Sequence, residues 1–324
     1  MSRSQNLDSW LHARLPGESY SLAPASEDAS FRRYFRLTSA AGTRIVMDAP
    51  PEHEDCRPFV KVARLFHAAG VHVPEVLAED IENGYLLLSD LGSTVYLEAL
   101  TEAAAPSLYG AATDALVRIQ AASRPGVLPE YDRELLLREL RLFPDWYVAR
   151  QLDVPLSSAQ SEQLAEVFEL ILANNLAQPR VYVHRDYHSR NLMVAEPNPG
   201  IIDFQDAVYG PITYDLVSLF KDAYISWDEQ QVLDWVVRYW EKAKQAGLPV
   251  DPDFGTFYRD FEWMGVQRHI KVLGIFARLY HRDGKERYLL DMPLVMAYLR
   301  KACARYNGLG ALVRLLDELE QKSP

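Results

Sequence analysis

The sequence predicts an α+β chain of two lobes, a small antiparallel-sheet lobe followed by a larger helical one. Three observations predict it. Short β-rich segments and turns fill roughly the first ninety residues, helical repeats of apolar side chains fill the remainder, and the character changes at Leu91-Gly92. That boundary places residues 1–91 in the first lobe and 92–324 in the second. A flexible join there leaves a cleft, and clefts between lobes are where ligands bind.

The elements follow in order. FRRYFRL at 31–37 and TRIVMDA at 43–49 are rich in β-formers and joined through Ala41-Gly42, which predicts a hairpin. In 59–70, Phe59, Val62, Ala63, Phe66 and Ala69 keep helical spacing, and Gly70 is a C-terminal stop. HVPEVLAED and GYLLLSD give two more strands around the turn Glu82-Asn83-Gly84. Beyond Gly92, apolar stripes mark helices over 107–122 and 161–176. A third helix follows Ser226-x-x-Glu229, a capping-box pattern, and stops near Gly247. Others are predicted near 256–281, 291–306 and 309–320, while 124–132 reads as a surface connection. Three β-like pieces interrupt the helices: 181–184, 191–194 and 200–204.

Composition narrows the function. The net charge of −11 disfavours nonspecific binding to nucleic acid or to an anionic membrane. Cys56 and Cys303 lack metal-site spacing and read as free thiols in a reducing compartment. No apolar signal core and no membrane-length apolar run occur, so a cytoplasmic protein is predicted.

The chemistry is concentrated in HRDYHSRN, His184 to Asn191, followed by IIDF, Ile201 to Phe204. Phosphoryl transfer needs an acceptor hydroxyl aimed, its proton accepted, and metal ions held on phosphate oxygens. Asp186 at the start of a loop suits the proton. Asn191, five residues on, and Asp203, after a hairpin, suit Mg2+, which takes hard oxygen ligands and shares its shell with phosphates. The bland reading is a set of polar loop residues capping turns. An apolar strand before the loop, Asn191 in register and Asp203 after two isoleucines favour catalysis.

HRDYHSRN resembles the catalytic loop of the aminoglycoside phosphotransferase and choline kinase branch of the protein-kinase-like fold. IIDFQDAVYGPITYDLVSL resembles its metal-binding segment. The resemblance spans nearly the whole chain and implies a bilobal protein-kinase-like fold with Mg2+ and ATP as phosphoryl donor. Gln205 stands where protein kinases carry the Gly of DFG, and Pro211, Asp215 and Leu216 follow closely, which argues against a protein kinase. SFRRYFRL and VQRHIKVLGIFARLYHRDGK are similar to segments of bacterial N-acetylmuramate/N-acetylglucosamine kinases of cell-wall recycling. That likeness implies an anomeric sugar hydroxyl as acceptor, with the sugar 1-phosphate passing to a nucleotidyltransferase.

The sequence departs from the fold's usual pattern in the first lobe. The third strand has no Lys, and the phosphate loop EDASFRRYF is not Gly-rich. Arg32, Arg33 and Arg44 are candidates for the missing cation; alternation on a strand lets at most one of Arg32 and Arg33 face the nucleotide. Glu52, Glu54 and Asp55 precede the helix of this lobe; one of them orients such an arginine, or, on the simpler reading, all are solvated surface. The segment 85–92 resembles the hinge of this fold, which implies that backbone groups at Ser89, Asp90 and Leu91 bind adenine.

For the acceptor, Arg268, Lys271, Arg278 and Arg282 fall on one helical face, which opposes a polycation and suits a neutral or carboxylate-bearing sugar. Arg268 is the candidate carboxylate contact, and a solvated face is the simpler reading for Arg278 and Arg282. His188 reaches toward the acceptor and Arg190 toward a carboxylate. Asp206 either binds a sugar hydroxyl or caps its turn. Asp215 braces the loop, and His269 is a core histidine. Glu262 and Trp263 have sugar-site chemistry without an assigned role. The alternatives are a kinase of the same branch acting on an aminoglycoside, choline or homoserine, and an inactive nucleotide-binding module.

Overall fold

The computed structural model describes residues 2–27 and 31–322. In chain order the first elements are α1 (Arg3–Arg14), β1 (Tyr20–Glu27), β2 (Arg33–Ser39), β3 (Gly42–Asp48), α2 (Arg57–Ala68), β4 (Val76–Asp80) and β5 (Tyr85–Ser89). Next come α3 (Tyr96–Ala99), α4 (Ala105–Ala121), α5 (Arg133–Leu142), a π-helix (Phe143–Gln151) and α6 (Ser158–Ala177). Four short strands follow: β6 (Arg180–Val183), β7 (Leu192–Met193), β8 (Gly200–Ile201) and β9 (Val208–Pro211). The chain ends in α7 (Tyr214–Phe220), α8 (Glu229–Gln245), α9 (Phe254–Asp283), α10 (Met292–Cys303) and α11 (Gly310–Lys322).

Two compact units divide the chain. The first is 1–115 with 190–206; the second is 116–189 with 207–324. The division at Ala115/Leu116 falls inside α4, so Leu91-Gly92 lies within the first unit. Local bonds explain this: Val194 donates its N–H to the Thr94 carbonyl at 2.9 Å, and Asn198 donates to the Tyr96 hydroxyl at 2.9 Å. The chain after β5 therefore packs with the β7–β8 hairpin.

The first unit is built on an antiparallel sheet in the order β1-β2-β3-β5-β4. Leu7, Trp10, Leu11 and Leu15 cover one face, packing on Leu37, Val46, Tyr85 and Leu87. α2 turns Phe59, Val62, Ala63 and Phe66 inward. The β4–β5 turn requires glycine at 84: its φ is +72°, and a Cβ would stand 1.8 Å from the Ala49 carbonyl oxygen. α1 and β1 were not foreseen in the sequence.

In the second unit α9 packs against α5, α6, α7, α10 and the π-helix. Gly274 lets α9 approach the end of α5, since a Cβ there would lie 2.4 Å from the Leu142 backbone. Two local expectations are corrected. α8 is capped by Asp228, whose carboxylate accepts the Gln230 N–H at 2.8 Å, not by Ser226. The 124–132 stretch buries Leu128 and Tyr131, and Tyr131 donates its N–H to the Tyr209 carbonyl at 2.8 Å.

Candidate active site

The HRDYHSRN segment leaves β6 at His184. β6 pairs with β9 through Val181–Gly210 and Val183–Val208, which fixes where the loop starts. Asp215, in the first turn of α7, accepts the N–H of His184 at 2.6 Å and of Arg185 at 2.9 Å. Burial pushes the Asp215 carboxyl up to about 7 despite these two donors. Arg185 has φ +78°, an uncommon conformation for a non-glycine residue, and Asp215 holds it. His188 donates its N–H to the Asp186 carbonyl at 3.0 Å, and Ser189 donates to the Asp222 carboxylate at 2.9 Å. Asp215 thus braces the loop, as the sequence suggested.

Asp186 lines a cavity of about 110 Å³ in the second unit, with His188, Tyr224, Arg268, Lys271 and Tyr288. Tyr224 meets His188 edge to face at 5.4 Å and Phe276 at 6.2 Å, and Phe276 meets Tyr288 at 5.0 Å, so one wall is aromatic. Burial works to raise the Asp186 pKa, but Lys271, His188, Arg268 and Arg185 outweigh it and hold the carboxyl down at about 2. The Arg268 Nε donates to the Ser218 hydroxyl at 2.6 Å. Its Nη1 is buried with no hydrogen-bond partner among the described residues.

Behind Lys271 lies a hub that the sequence did not reveal. Glu139 on α5 is buried and meets Lys271 Nζ at 2.9 Å. It also accepts from Arg185, from the Tyr131 hydroxyl, and from Gln267 Nε2 at 3.3 Å. Lys271 further donates to the Tyr214 hydroxyl at 2.9 Å. Burial raises the Glu139 pKa, yet Lys271 and Arg185 bring it below the usual value.

In the first unit a larger cavity, about 380 Å³, is lined by Ser89, Asp90, Leu91, Arg36, Arg190, Asn191 and Asp203. Its apolar lining includes Ile45, Leu88, Met193 and Ile202. The β7–β8 hairpin pairs Leu192 with Ile201, and Ile202 donates its N–H to the Asn191 carbonyl at 3.1 Å. This brings the Asn191 amide to Asp203 Oδ2 at 3.1 Å. Gln205 Nε2 donates to Asp203 Oδ1 at 2.8 Å. Phe204 anchors the turn between Phe59 and Phe66, at centroid distances of 4.9 and 6.0 Å, while Asp203 takes φ +63°. Asn191 and Asp203 offer the hard oxygens that Mg2+ takes. Among the described residues no three His, Cys, Asp or Glu side chains gather as a metal cage. Two protein ligands with phosphates and water completing the shell is the usual magnesium arrangement, so this donor set fits.

The remaining candidates are placed as follows. Arg32 lies 3.5 Å from Glu54, Arg33 pairs with Asp48 across the β2–β3 register, and Arg44 pairs with Glu18. None of the three is among the cavity's lining residues; Arg36, two positions from Tyr34 on the same strand face, is. Its Nε donates to Asp90 at 2.7 Å and its Nη2 to the Gly92 carbonyl at 2.8 Å. Of the two readings for Glu54 the structure favours the arginine partner over solvated surface: it pairs with Arg32 and accepts the Phe31 N–H at 3.3 Å. Arg190 lines this cavity and not the one holding His188 and Arg268. Asp206 is exposed and lines neither. His269 is buried, stacked on Tyr298, and pushed down to about 3 by burial. Glu262 pairs with Arg305 and accepts from the Tyr306 hydroxyl at 2.7 Å, and Trp263 meets Tyr306 edge to face. Arg282 pairs with Asp283 at the surface.

No helix among the described residues is long and apolar enough to cross a membrane. A choline kinase from Streptococcus pneumoniae shares the fold, with a TM-score of 0.66 at 14% identity, covering 94% of this chain and 100% of that one. A putative aminoglycoside phosphotransferase from Ralstonia eutropha gives 0.62 at 14% identity, covering 92% and 98%. In sequence, the chain is 52% identical to an N-acetylmuramate/N-acetylglucosamine kinase of Pseudomonas aeruginosa, over 99% of this chain and 98% of that protein. A protein of the same name from Neisseria meningitidis is 51% identical, over 98% and 96%. The model of the phosphotransferase enzyme family matches residues 21–250, and with these relatives it shows that the chain is a member of that family.

Proposed function

We propose that the chain is an ATP-dependent kinase that phosphorylates the anomeric C1 hydroxyl of N-acetylmuramate and N-acetylglucosamine. The observation that carries this reading is the near full-length identity to relatives named for those two sugars. The cavity at Asp186 supports it. His188, Arg268 and Lys271 line that cavity with a single carboxylate, which opposes a cationic aminoglycoside or choline and suits a neutral or carboxylate-bearing sugar. The unpartnered Arg268 Nη1 is the donor for a sugar carboxylate, and Tyr224 and Tyr288 supply faces for a sugar ring.

In this reading the nucleotide occupies the cavity of the first unit, its base on the Ser89–Leu91 backbone and between Ile45, Leu88, Met193 and Ile202. Asn191 and Asp203 hold Mg2+, which when bound neutralises charge on the phosphate oxygens. Asp186 accepts a hydrogen bond from the C1 hydroxyl and aims its oxygen at the γ-phosphorus. As the new O–P bond forms and the bond to ADP breaks, the proton passes to Asp186. A carboxylate held at about 2 is a weak base, so its main work is aim; the proton moves late, as a loose phosphoryl-transfer transition state permits. The sugar 1-phosphate suits a later nucleotidyl transfer in peptidoglycan recycling, and a cytoplasmic location fits that role.

A coupled ADP-release assay with ATP and magnesium tests this on N-acetylmuramate, N-acetylglucosamine, glucose, choline and kanamycin. Turnover on the two N-acetylated sugars with an acid-labile phosphate is the expected result. Turnover confined to choline or kanamycin overturns the acceptor.

A further inference from the structure

The phosphate chain of a nucleotide carries several negative charges, and a kinase must meet them with fixed cations. β3 has no lysine, and the single lysine in the sequence of the first unit, Lys61, is exposed on α2. Arg33 and Arg44 of the sheet and Arg32 just before it do not line the cavity of this unit; they pair with Asp48, Glu18 and Glu54. Among the described residues, the cations that line the 380 Å³ cavity are Arg36 and Arg190. Arg36 is held at the β5 end by Asp90 and the Gly92 carbonyl. Arg190 directly precedes Asn191, whose side chain bonds Asp203.

We propose that Arg190 is the cation that binds the nucleotide's phosphate chain, while Arg36 shapes the base end of the same cavity. The inference rests on the nucleotide reading given above. A guanidinium suits the task because its planar fork meets two phosphate oxygens at once.

Calorimetric titration of the full chain with adenosine and with ADP, at fixed magnesium, tests the assignment. Wild type is expected to bind ADP more tightly than adenosine. Arg190→Gln is expected to weaken ADP about ten- to hundredfold, the worth of hydrogen bonds to a charged group, while adenosine changes less than about threefold. Arg190→Lys should recover part of the loss. Arg36→Gln should weaken both ligands alike. Arg190→Met replaces the glutamine variant if that one fails to fold. An unchanged ADP-to-adenosine ratio in the Arg190 variants, with wild type binding ADP normally, overturns this inference alone. Wild type that binds no ADP overturns the nucleotide reading and this inference with it.

Discussion

The two cavities manage charge in opposite ways. In the first unit, Arg36 and Asp90 of the cavity lining are tied to each other, Asp203 accepts from two neutral amides, and much of the lining is apolar. In the second unit, charge lies beneath the cavity, where one carboxylate, Glu139, serves Lys271, Arg185, Tyr131 and Gln267 together. The first arrangement suits a flat apolar ring with charge confined to one end. The second keeps a carboxylate ionised in a place where burial alone would neutralise it. The field at Asp186 is therefore made by Lys271, His188 and Arg268 in the cavity lining together with Arg185, and Glu139, which is outside that lining, holds Lys271 and Arg185.

The largest test of this contrast is Asp186→Asn. It should lower kcat by about 10²- to 10⁴-fold and leave ADP affinity unchanged, because the cavity of the first unit is untouched. Titration and single-turnover rates on the same preparation measure both, and a matching loss of ADP affinity would break the separation. Next is Glu139→Ala, which leaves Lys271 and Arg185 buried without their shared partner. A loss of about 3–5 kcal/mol in urea unfolding is expected. A loss below about 1 kcal/mol, as for a surface pair, would show that the hub is not a buried network.

Asp203→Ala comes third. ADP binding should lose its dependence on magnesium, a change of about tenfold in the presence of the metal. An identical magnesium response in the variant removes Asp203 from the metal site. The smallest effect concerns pH. With Asp186 held at about 2, its protonation does not limit the wild-type rate above roughly pH 4. Its pKa is lowered by folding, so its contribution to stability is complete above the ordinary 3.8 and is lost as pH falls toward about 2. Lys271→Met removes the first of the cations acting on it, so the acid limb of the kcat profile should move to higher pH. A profile superimposable on wild type would assign the field to other groups.

The parts of the fold that were legible in the sequence are those with strong periodicity. α2 shows Phe59, Val62, Ala63 and Phe66 at helical spacing, and β2–β3 is a hairpin of β-formers. α1 was overlooked because it buries little, Leu7, Trp10 and Leu11 among polar neighbours. β1 is an edge strand containing Pro24, which weakens its signal. α5 carried a readable start, Asp132 accepting the Leu135 N–H, but Pro144 and the π-helix that follow break the 3.6-residue repeat. Asp186, Asn191 and Asp203 stood out because the tasks proposed for them fall on residues close together in the chain. Arg36 with Asp90, and Glu139 with Lys271, are pairs between distant segments, and nothing in either segment announces the partner. Gln205 departs in sequence from the glycine of protein kinases; only the structure shows its amide on Asp203.

The sharing of Glu139 has a consequence for how this protein can change over generations. A substitution at Glu139 alone strands both Lys271 and Arg185 in the interior, whereas loss of either cation leaves the carboxylate paired with the other. The carboxylate at the floor of this cavity is therefore the last position that should change, after its cations, while the aromatic wall is free to vary one residue at a time and to explore new acceptors first.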